Sequence, residues 1–150
     1  MSYLPRELPH PEPSPEDVFY WDNCRDRKLV IRHCNSCHTF FHPPMPSCTA
    51  CGSVDLGWRQ VSGSGTIFSY TIAHHPVHPA LKTSTPYNIV VVMLDGASDV
   101  RLVSNIIGAQ PEQIRIGAPV ELCWDEIDKG MFLPRFVLKT TMDAAGRETL

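Results

Sequence analysis

The stretch Cys34-Asn-Ser-Cys37, followed after ten intervening residues by Cys48-Thr-Ala-Cys51, indicates the architecture of the first third of the chain. Two CxxC pairs at this separation supply four thiolates, which is the ligand set and spacing of a structural zinc ribbon. Four cysteines fill the tetrahedral shell of zinc and leave no open position for a reactive water. The sequence therefore predicts a metal that holds a fold together, with zinc as the metal and iron, which accepts the same ligands, as the minor alternative.

The remaining histidines and cysteines near this stretch are expected to be structural. His33, His38 and His42 lie close to the cysteine pairs, but four thiolates complete the shell without them, so we expect these histidines in turns or beside the ligands. Cys24 and Cys123 have no partner at ligand spacing and are expected to be buried thiols.

A short helix is predicted in front of the ribbon. Ser14-Pro15-Glu16-Asp17 combines a capping serine, a proline at the first helical position and acids in the first turn, and the helix is expected to run to about Arg27. Residues 18–21 are Val-Phe-Tyr-Trp, more apolar surface than one stripe of a two-turn helix buries. Phe19 and Trp21 are therefore candidates to face a partner or ligand. The alternative is that all four residues fill the core of the protein.

The rest of the chain is predicted to form short strands. Strands at 29–33, 39–41 and 55–61 surround the cysteine pairs, and five more follow at 66–73, 87–94, 100–107, 120–127 and 132–140. A helical turn at 109–114 falls between the third and fourth of these five, the order of an OB-type Greek-key barrel. The fold class is thus mostly β, and the predicted divisions are an N-terminal extension and helix (1–27), a zinc ribbon (28–61), an OB fold (62–141) and a C-terminal tail (142–150).

Composition and charge bear on the class of partner. A net charge of -3 and the lack of Lys or Arg between the first and last cysteine ligands argue against nucleic acid as a ligand, although a zinc-ribbon and OB module for single strands is the alternative to weigh. The chain opens without an apolar targeting segment, and its apolar runs are too short to cross a bilayer. We expect a soluble, cytoplasmic protein that binds neither nucleic acid nor membrane, in a compartment that keeps thiols reduced.

Two further groups of residues are candidates for contact with a partner or a small ligand. The cations Arg25, Arg27, Lys28 and Arg32 form either a solvated face or a contact for a small anionic ligand such as coenzyme A. His74, His75 and His78 lie in a proline-rich connection. They could act as acid or base, but no nucleophile at a recognisable spacing completes a catalytic set. We therefore predict no catalytic residue in this chain and expect this loop to contact a partner.

The order of these motifs resembles a known family. The shared motifs are Phe19-Tyr-Trp21, the two cysteine pairs, the Phe-Phe-His-Pro-Pro between them, the Ser-Gly-Ser-Gly-Thr-Ile-Phe-Ser-Tyr that ends at Tyr70, and the segments 115–120 and 133–136. That family joins a rubredoxin-like zinc ribbon to an OB fold and was long catalogued as a domain of unknown function associated with acyl-CoA enzymes. The resemblance covers about residues 16–138.

The resemblance implies a role in a complex. It implies an accessory, non-catalytic subunit that assembles with a thiolase-like enzyme or an aldolase derived from one, and that completes the acyl-CoA pocket or stabilises the partner. Some relatives are instead fused to, or paired with, hotdog-fold enoyl-CoA hydratases. The expected partner is therefore the subunit of an acyl-CoA enzyme of lipid or steroid metabolism, with the acyl-CoA at or near the shared site.

Overall fold

The computed structural model describes residues 2–142 and 148–149, and is built mainly of strands. Within these residues it contains an α-helix, α1 (Val18–Arg25), and ten strands. In chain order the strands are β1 (Val30–Cys34), β2 (Phe40–Phe41), β3 (Leu56–Gln60), β4 (Gly65–Ala73), β5 (Tyr87–Leu94), β6 (Arg101–Ser104), β7 (Pro119–Asp128), β8 (Met131–Leu138), β9 (Thr141–Met142) and β10 (Glu148–Thr149).

The first sheet is the ribbon, an antiparallel set in the order β2-β1-β3. Its central strand pairs Arg32 with Phe41 on one side and with Trp58 on the other. The strand β1 delivers Cys34 at its end, where the Cys34 amide donates to the Thr39 carbonyl and turns the chain back. The ribbon strands lie within a residue of their predicted positions at either end.

The second sheet has five antiparallel strands in the order β6-β5-β4-β7-β8. Its two edges meet at a parallel bridge between Ile106 and Phe136, which nearly closes the sheet into a barrel. This is the strand order of an OB fold and confirms the predicted fold class. The helical turn between the third and fourth barrel strands is a 3₁₀ turn at Pro111–Gln113, and a second 3₁₀ turn at Pro79–Thr83 was not predicted.

The helix is shorter than the sequence predicted, and the predicted start at Ser14 was wrong. It begins at Val18, and Ser14 is not its cap. The Asp17 carboxylate accepts hydrogen bonds from the amide and hydroxyl of Ser14 at 2.6 and 2.9 Å, so the side-chain bonds run opposite to those of a serine cap. The helix ends at Arg25 because the backbone takes a left-handed conformation at Arg27, with φ of 56°.

The core joins the helix, the ribbon sheet and the barrel. Tyr20 and Cys24 from α1 pack with Ile31 from β1 and with the fully buried Phe136 of β8. A second, smaller cluster contains Cys34, Phe41, Cys48 and Leu56 at the far end of the ribbon. Ordinary hydrophobic burial therefore anchors one end of the ribbon, whereas the cysteine end has very little apolar surface of its own.

The predicted C-terminal tail lies partly outside the described residues, which exclude 143–147 and 150. The described part pairs β9 with β10 in an antiparallel arrangement. No helix in the described part of the chain is long and apolar enough to cross a membrane.

Candidate metal centre and partner-facing surfaces

The four cysteine sulfur atoms form one compact cluster. All four lie within 4.8 Å of one another, with 3.7 Å between the sulfurs of Cys34 and Cys51 and 3.5 Å between those of Cys37 and Cys48. A tetrahedron with metal–sulfur bonds of about 2.3 Å has sulfur–sulfur edges of about 3.8 Å. The spacing of the thiols therefore fits a tetrahedral metal ion.

Hydrogen bonds in the turns that carry these cysteines shift the pKa of some of the thiols. The amide of Cys37 donates to the sulfur of Cys34, and the amide of Ala50 donates to the sulfur of Cys48, at 3.5 and 3.4 Å. The amide of Cys37 lowers the pKa of Cys34, and hydrogen bonding to Thr39 lowers the pKa of Cys37 to about 6. The Ser53 backbone lowers the pKa of Cys51, but hydrogen bonds with the neighbouring thiols raise it to about 12. Thiolate is the form that binds metal, so the local hydrogen bonds favour the metal-binding form at Cys34 and Cys37.

The nearby histidines lie outside the sulfur cluster. The ring of His33 is buried and packs against Phe40 at 4.8 Å and against His38 at 5.7 Å. His42 packs against Tyr20 at 5.3 Å and lines a cavity of about 210 Å³ between the helix and the barrel. Burial lowers the pKa of His42, so the neutral imidazole is the form that fits this junction.

The cations predicted as an anion contact are not gathered into one cradle. Each has its own partner: Arg25 pairs with Asp22 at 3.3 Å, Lys28 with Asp26 at 3.7 Å, Arg27 stacks on Phe132 at 4.5 Å, and Arg32 stacks on Trp58 at 5.0 Å. A phosphate bound near these four cations would have to compete with the carboxylates and aromatic rings that they already contact.

Some aromatic residues of the helix fill the core and others face solvent, so each of the two hypotheses drawn from the sequence holds for part of the helix. Tyr20 is buried and Trp21 is half-buried against the core. Phe19 is 48% exposed, next to the exposed Val18, and its ring lies 5.2 Å from that of Trp58 on the ribbon. The helix thus fills the core with one side and presents an apolar surface with the other.

The histidine loop contains two exposed side chains and one structural one. His74 and His75 are exposed. The Nδ1 of His78 instead accepts a hydrogen bond from the Ala80 amide at 3.2 Å and caps the 3₁₀ turn that follows. The signal for this cap was present in the sequence, because Pro79 directly follows His78 and proline favours the first position of a helical turn.

The outer face of the barrel carries an apolar patch that the sequence did not predict. Phe68 is 44% exposed on β4, where the register with β5 shifts between Ile67 and Ser69. The guanidinium of Arg101 lies 3.9 Å over the Phe68 ring, and the 69% exposed Val103 follows two residues later on β6. A bulge inserts one residue into the pairing, and periodicity alone does not locate it.

Comparison with protein families finds two adjoining domains. Residues 21–57 match the model described as the ChsH2 rubredoxin-like zinc ribbon domain, and residues 58–125 match the ChsH2 C-terminal OB-fold domain. A solved structure described as "Ltp2-ChsH2(DUF35) aldolase" is 40% identical, with a TM-score of 0.77, and the match covers 86% of this chain and 98% of that one. A DUF35-family protein of unknown function from Sulfolobus solfataricus shares the fold at 16% identity and a TM-score of 0.59.

Curated relatives fall into two groups of different length. The chain is 41% identical, over 85% of its length, to a probable enoyl-CoA hydratase alpha subunit of Thermomonospora curvata, of which the match covers 39%. It is 31% identical over 77% of its length to a 3-oxo-4,17-pregnadiene-20-carboxyl-CoA hydratase alpha subunit of Mycobacterium tuberculosis, and spans 36% of it. A DUF35 domain-containing scaffold protein of Pyrococcus furiosus is 30% identical over 69% of this chain, and 74% of that protein is covered. The chain belongs to the ChsH2 (DUF35) family, which joins a rubredoxin-like zinc ribbon to a C-terminal OB fold.

Proposed function

We propose that the chain is a non-catalytic subunit that binds and supports a thiolase-like acyltransferase or aldolase acting on acyl-CoA intermediates. The observation that carries this proposal is the likeness to the solved protein whose name joins an aldolase to a ChsH2(DUF35) component, at 40% identity over 98% of that chain. On this proposal the subunit helps to form the acyl-CoA pocket or stabilises the complex.

The chemistry of the cysteine centre supports a structural role. We propose that its metal is zinc, because four thiolates suit zinc and leave no coordination position for substrate. The cysteines Cys34, Cys37, Cys48 and Cys51 would hold the ion. A cytoplasmic location is part of the proposal, since a reducing compartment keeps cysteines available as thiolate ligands.

The exposed apolar and aromatic residues support binding to a protein partner. Phe19 and Val18 form an exposed pair beside Trp58, and aromatic residues in such positions are frequent anchors of protein interfaces. We propose that this helix surface, with Trp21, Arg25 and Lys28 at its margin, contacts the partner or its acyl-CoA. The loop with His74, His75 and His78 is proposed as a second contact, near the mouth of the partner's active site.

A hydratase subunit is the second candidate partner. The observation that favours it is the 41% identity to a probable enoyl-CoA hydratase alpha subunit. This chain corresponds to 39% of that relative, so the remaining part of a hydratase would have to come from another chain or segment. A hotdog-fold hydratase that binds this chain would fit that arrangement.

Co-expression tests both candidates. The chain would be produced with the thiolase-like subunit of the same genome and, separately, with a hotdog-fold hydratase subunit, and each pair would be run on size-exclusion chromatography with light scattering and metal analysis. We expect co-elution with the thiolase-like subunit and about one zinc per chain. Co-elution with the hydratase alone would favour the second candidate, and binding of single-stranded nucleic acid in a low-salt gel shift, without either partner, would overturn both.

A substitution on the helix refines the experiment. Phe19→Ser should weaken the complex at least tenfold if Phe19 is an anchor, since anchors at interfaces contribute about 2 kcal/mol or more. Val54→Ser is the matched control, because Val54 is 80% exposed on the ribbon and outside the helix surface. Equal loss of binding in the two variants, or no loss in either, would remove α1 from the interface.

A further inference from the structure

The N-terminal arm, residues 2–11, lies along a groove on the barrel. Leu4, Leu8 and several prolines of the arm face Ile127 of β7 and Leu133 of β8, and a cavity of about 310 Å³ remains between them. The groove is thus covered by a segment that does not fill it. Close packing is the rule in protein cores, so this contact resembles an occupied binding site more than a core.

Polar anchors hold the first residues of the arm. The amide of Tyr3 donates to both carboxylate oxygens of Asp125 at 3.3 and 3.2 Å, and the hydroxyl of Ser2 donates to the same carboxylate at 3.3 Å. The hydroxyl of Tyr3 accepts from the backbone and side-chain amides of Asn88, at 3.3 and 2.8 Å. The groove therefore holds both the backbone amide and the phenol hydroxyl of one tyrosine.

These anchors belong to the seam where the barrel closes. The edges β6 and β8 meet around the Ile106–Phe136 bridge. Side chains extend the closure: Asn88 bonds both backbone groups of Ile106, and Arg135 donates to the side chain of Asn105. An occupant that bonds Asn88 and Asp125 is therefore attached directly to the seam.

The arm can leave at moderate cost. Residues 12–16, which connect it to the helix region, are all exposed, so the arm is tethered by a segment that can move away without breaking the core. Departure would uncover the Asp125–Arg135 ion pair, whose side chains are 4% and 10% exposed. Water would then restore part of the solvation that burial removed from these charges.

We propose that this groove is a recognition site for a proline-rich, tyrosine-bearing peptide segment, and that the N-terminal arm of the chain occupies it reversibly. The ligand class follows from the contacts: a backbone amide and a small hydroxyl for Asp125, a phenol for Asn88, and proline and leucine for the apolar walls. The inference is independent of the identity of the partner enzyme.

A labelled peptide with the sequence of residues 2–11 tests the site in the full chain. Tyr3→Ala removes the arm's anchor, so fluorescence anisotropy should show the peptide binding to this variant at least tenfold more tightly than to the wild type. In the wild type the tethered arm competes at an effective concentration on the order of millimolar. Tyr70→Ala, which alters an exposed barrel tyrosine, is the control and should behave as the wild type. Equal affinity for all three proteins, or no binding to Tyr3→Ala, would overturn the proposal.

A milder variant covers the case in which Tyr3→Ala is unstable. Tyr3→Phe keeps the ring and removes the hydroxyl that accepts from the Asn88 amide. Hydrogen exchange at Asn88 should then accelerate about tenfold, since an opened buried hydrogen bond loses that order of protection. The same change in Tyr70→Phe, or an unchanged rate in Tyr3→Phe, would contradict the role of Tyr3 as the anchor.

Discussion

The Nε of Arg135 lies 3.4 Å from a carboxylate oxygen of Asp125 on the neighbouring strand, and both side chains are almost completely buried. The same carboxylate accepts the Tyr3 amide, and the same guanidinium donates to Asn105. Burial lowers the pKa of Arg135, against the opposing attraction of Asp125. This pair therefore connects the N-terminal arm, the barrel seam and two barrel strands, and each of its two buried charges depends on the other for compensation.

Arg135→Ala should lower the free energy of unfolding by about 3 kcal/mol, because it leaves the Asp125 carboxylate buried without its cation. Chemical denaturation measures this loss. Lys139→Ala is the matched control: it breaks the ion pair with Glu121, whose 2.9 Å contact lies between side chains that are each 51% exposed. Exposed pairs contribute less than about 1 kcal/mol. Losses of similar size in the two variants would show that burial does not control the energy of the Asp125–Arg135 pair.

Removal of the metal should unfold the cysteine end of the ribbon and leave the barrel folded. The small cluster around Cys34 and Cys48 is separate from the main core, and metal binding supplies on the order of 10 kcal/mol in small zinc peptides. Hydrogen exchange after chelation should show lost protection at residues 34–56 and retained protection in β4 to β8. Cys48→Ser should reproduce this loss.

Cys123→Ser serves as the control for the metal experiment. Cys123 is half-buried on β7 and far along the chain from the sulfur cluster, so the variant should retain the full metal content. Equal metal content in the Cys48→Ser and Cys123→Ser proteins, measured by mass spectrometry of the metal, would contradict the assignment of the ligands.

Acid should destabilise the folded protein through His42, which lies between the helix and the barrel. Burial lowers the pKa of this imidazole below 6.5, and Asp17 only partly opposes the shift. Below pH 6.5 the unfolded chain binds a proton that the folded chain rejects, so the free energy of unfolding falls as the pH drops and is constant above that value. Urea unfolding at pH 5.5 and 7.5 should show a smaller difference for His42→Gln than for the wild type. Because both proteins keep the four cysteines, loss of metal in acid affects them equally, and identical pH dependence would exclude a role for His42.

The exposed histidines should matter for the complex and not for the fold. The double variant His74→Ala/His75→Ala is expected to lower the activity of the assembled enzyme several-fold without changing the stability of this chain, because both side chains are exposed. Lys82→Ala, in the same connection, is the control. Steady-state kinetics of the complex measure the effect, and unchanged kinetics in the double variant would remove this loop from the active-site mouth.

Local signals were sufficient for much of the fold. The ligand set of the ribbon follows from CxxC spacing because each pair needs only one tight turn, and the four sulfurs meet as that spacing predicts. The barrel strands were recognised because apolar runs separated by turn residues are local patterns. The helix start was wrong because the same four residues can make a serine cap or an aspartate-centred turn, and their local composition does not distinguish the two.

The ribbon, the order of the barrel strands and the four-cysteine metal site followed from local patterns in the sequence. Which aromatics face solvent depended on tertiary packing: Tyr20 is buried in the shared core, whereas Phe19 and Phe68 stay exposed. The tertiary structure also decided the role of the arm: Tyr3 and Asn88 are 85 residues apart in the chain, and their contact arises from folding. Contacts over such separations depend on the whole topology, which no local pattern of residues encodes.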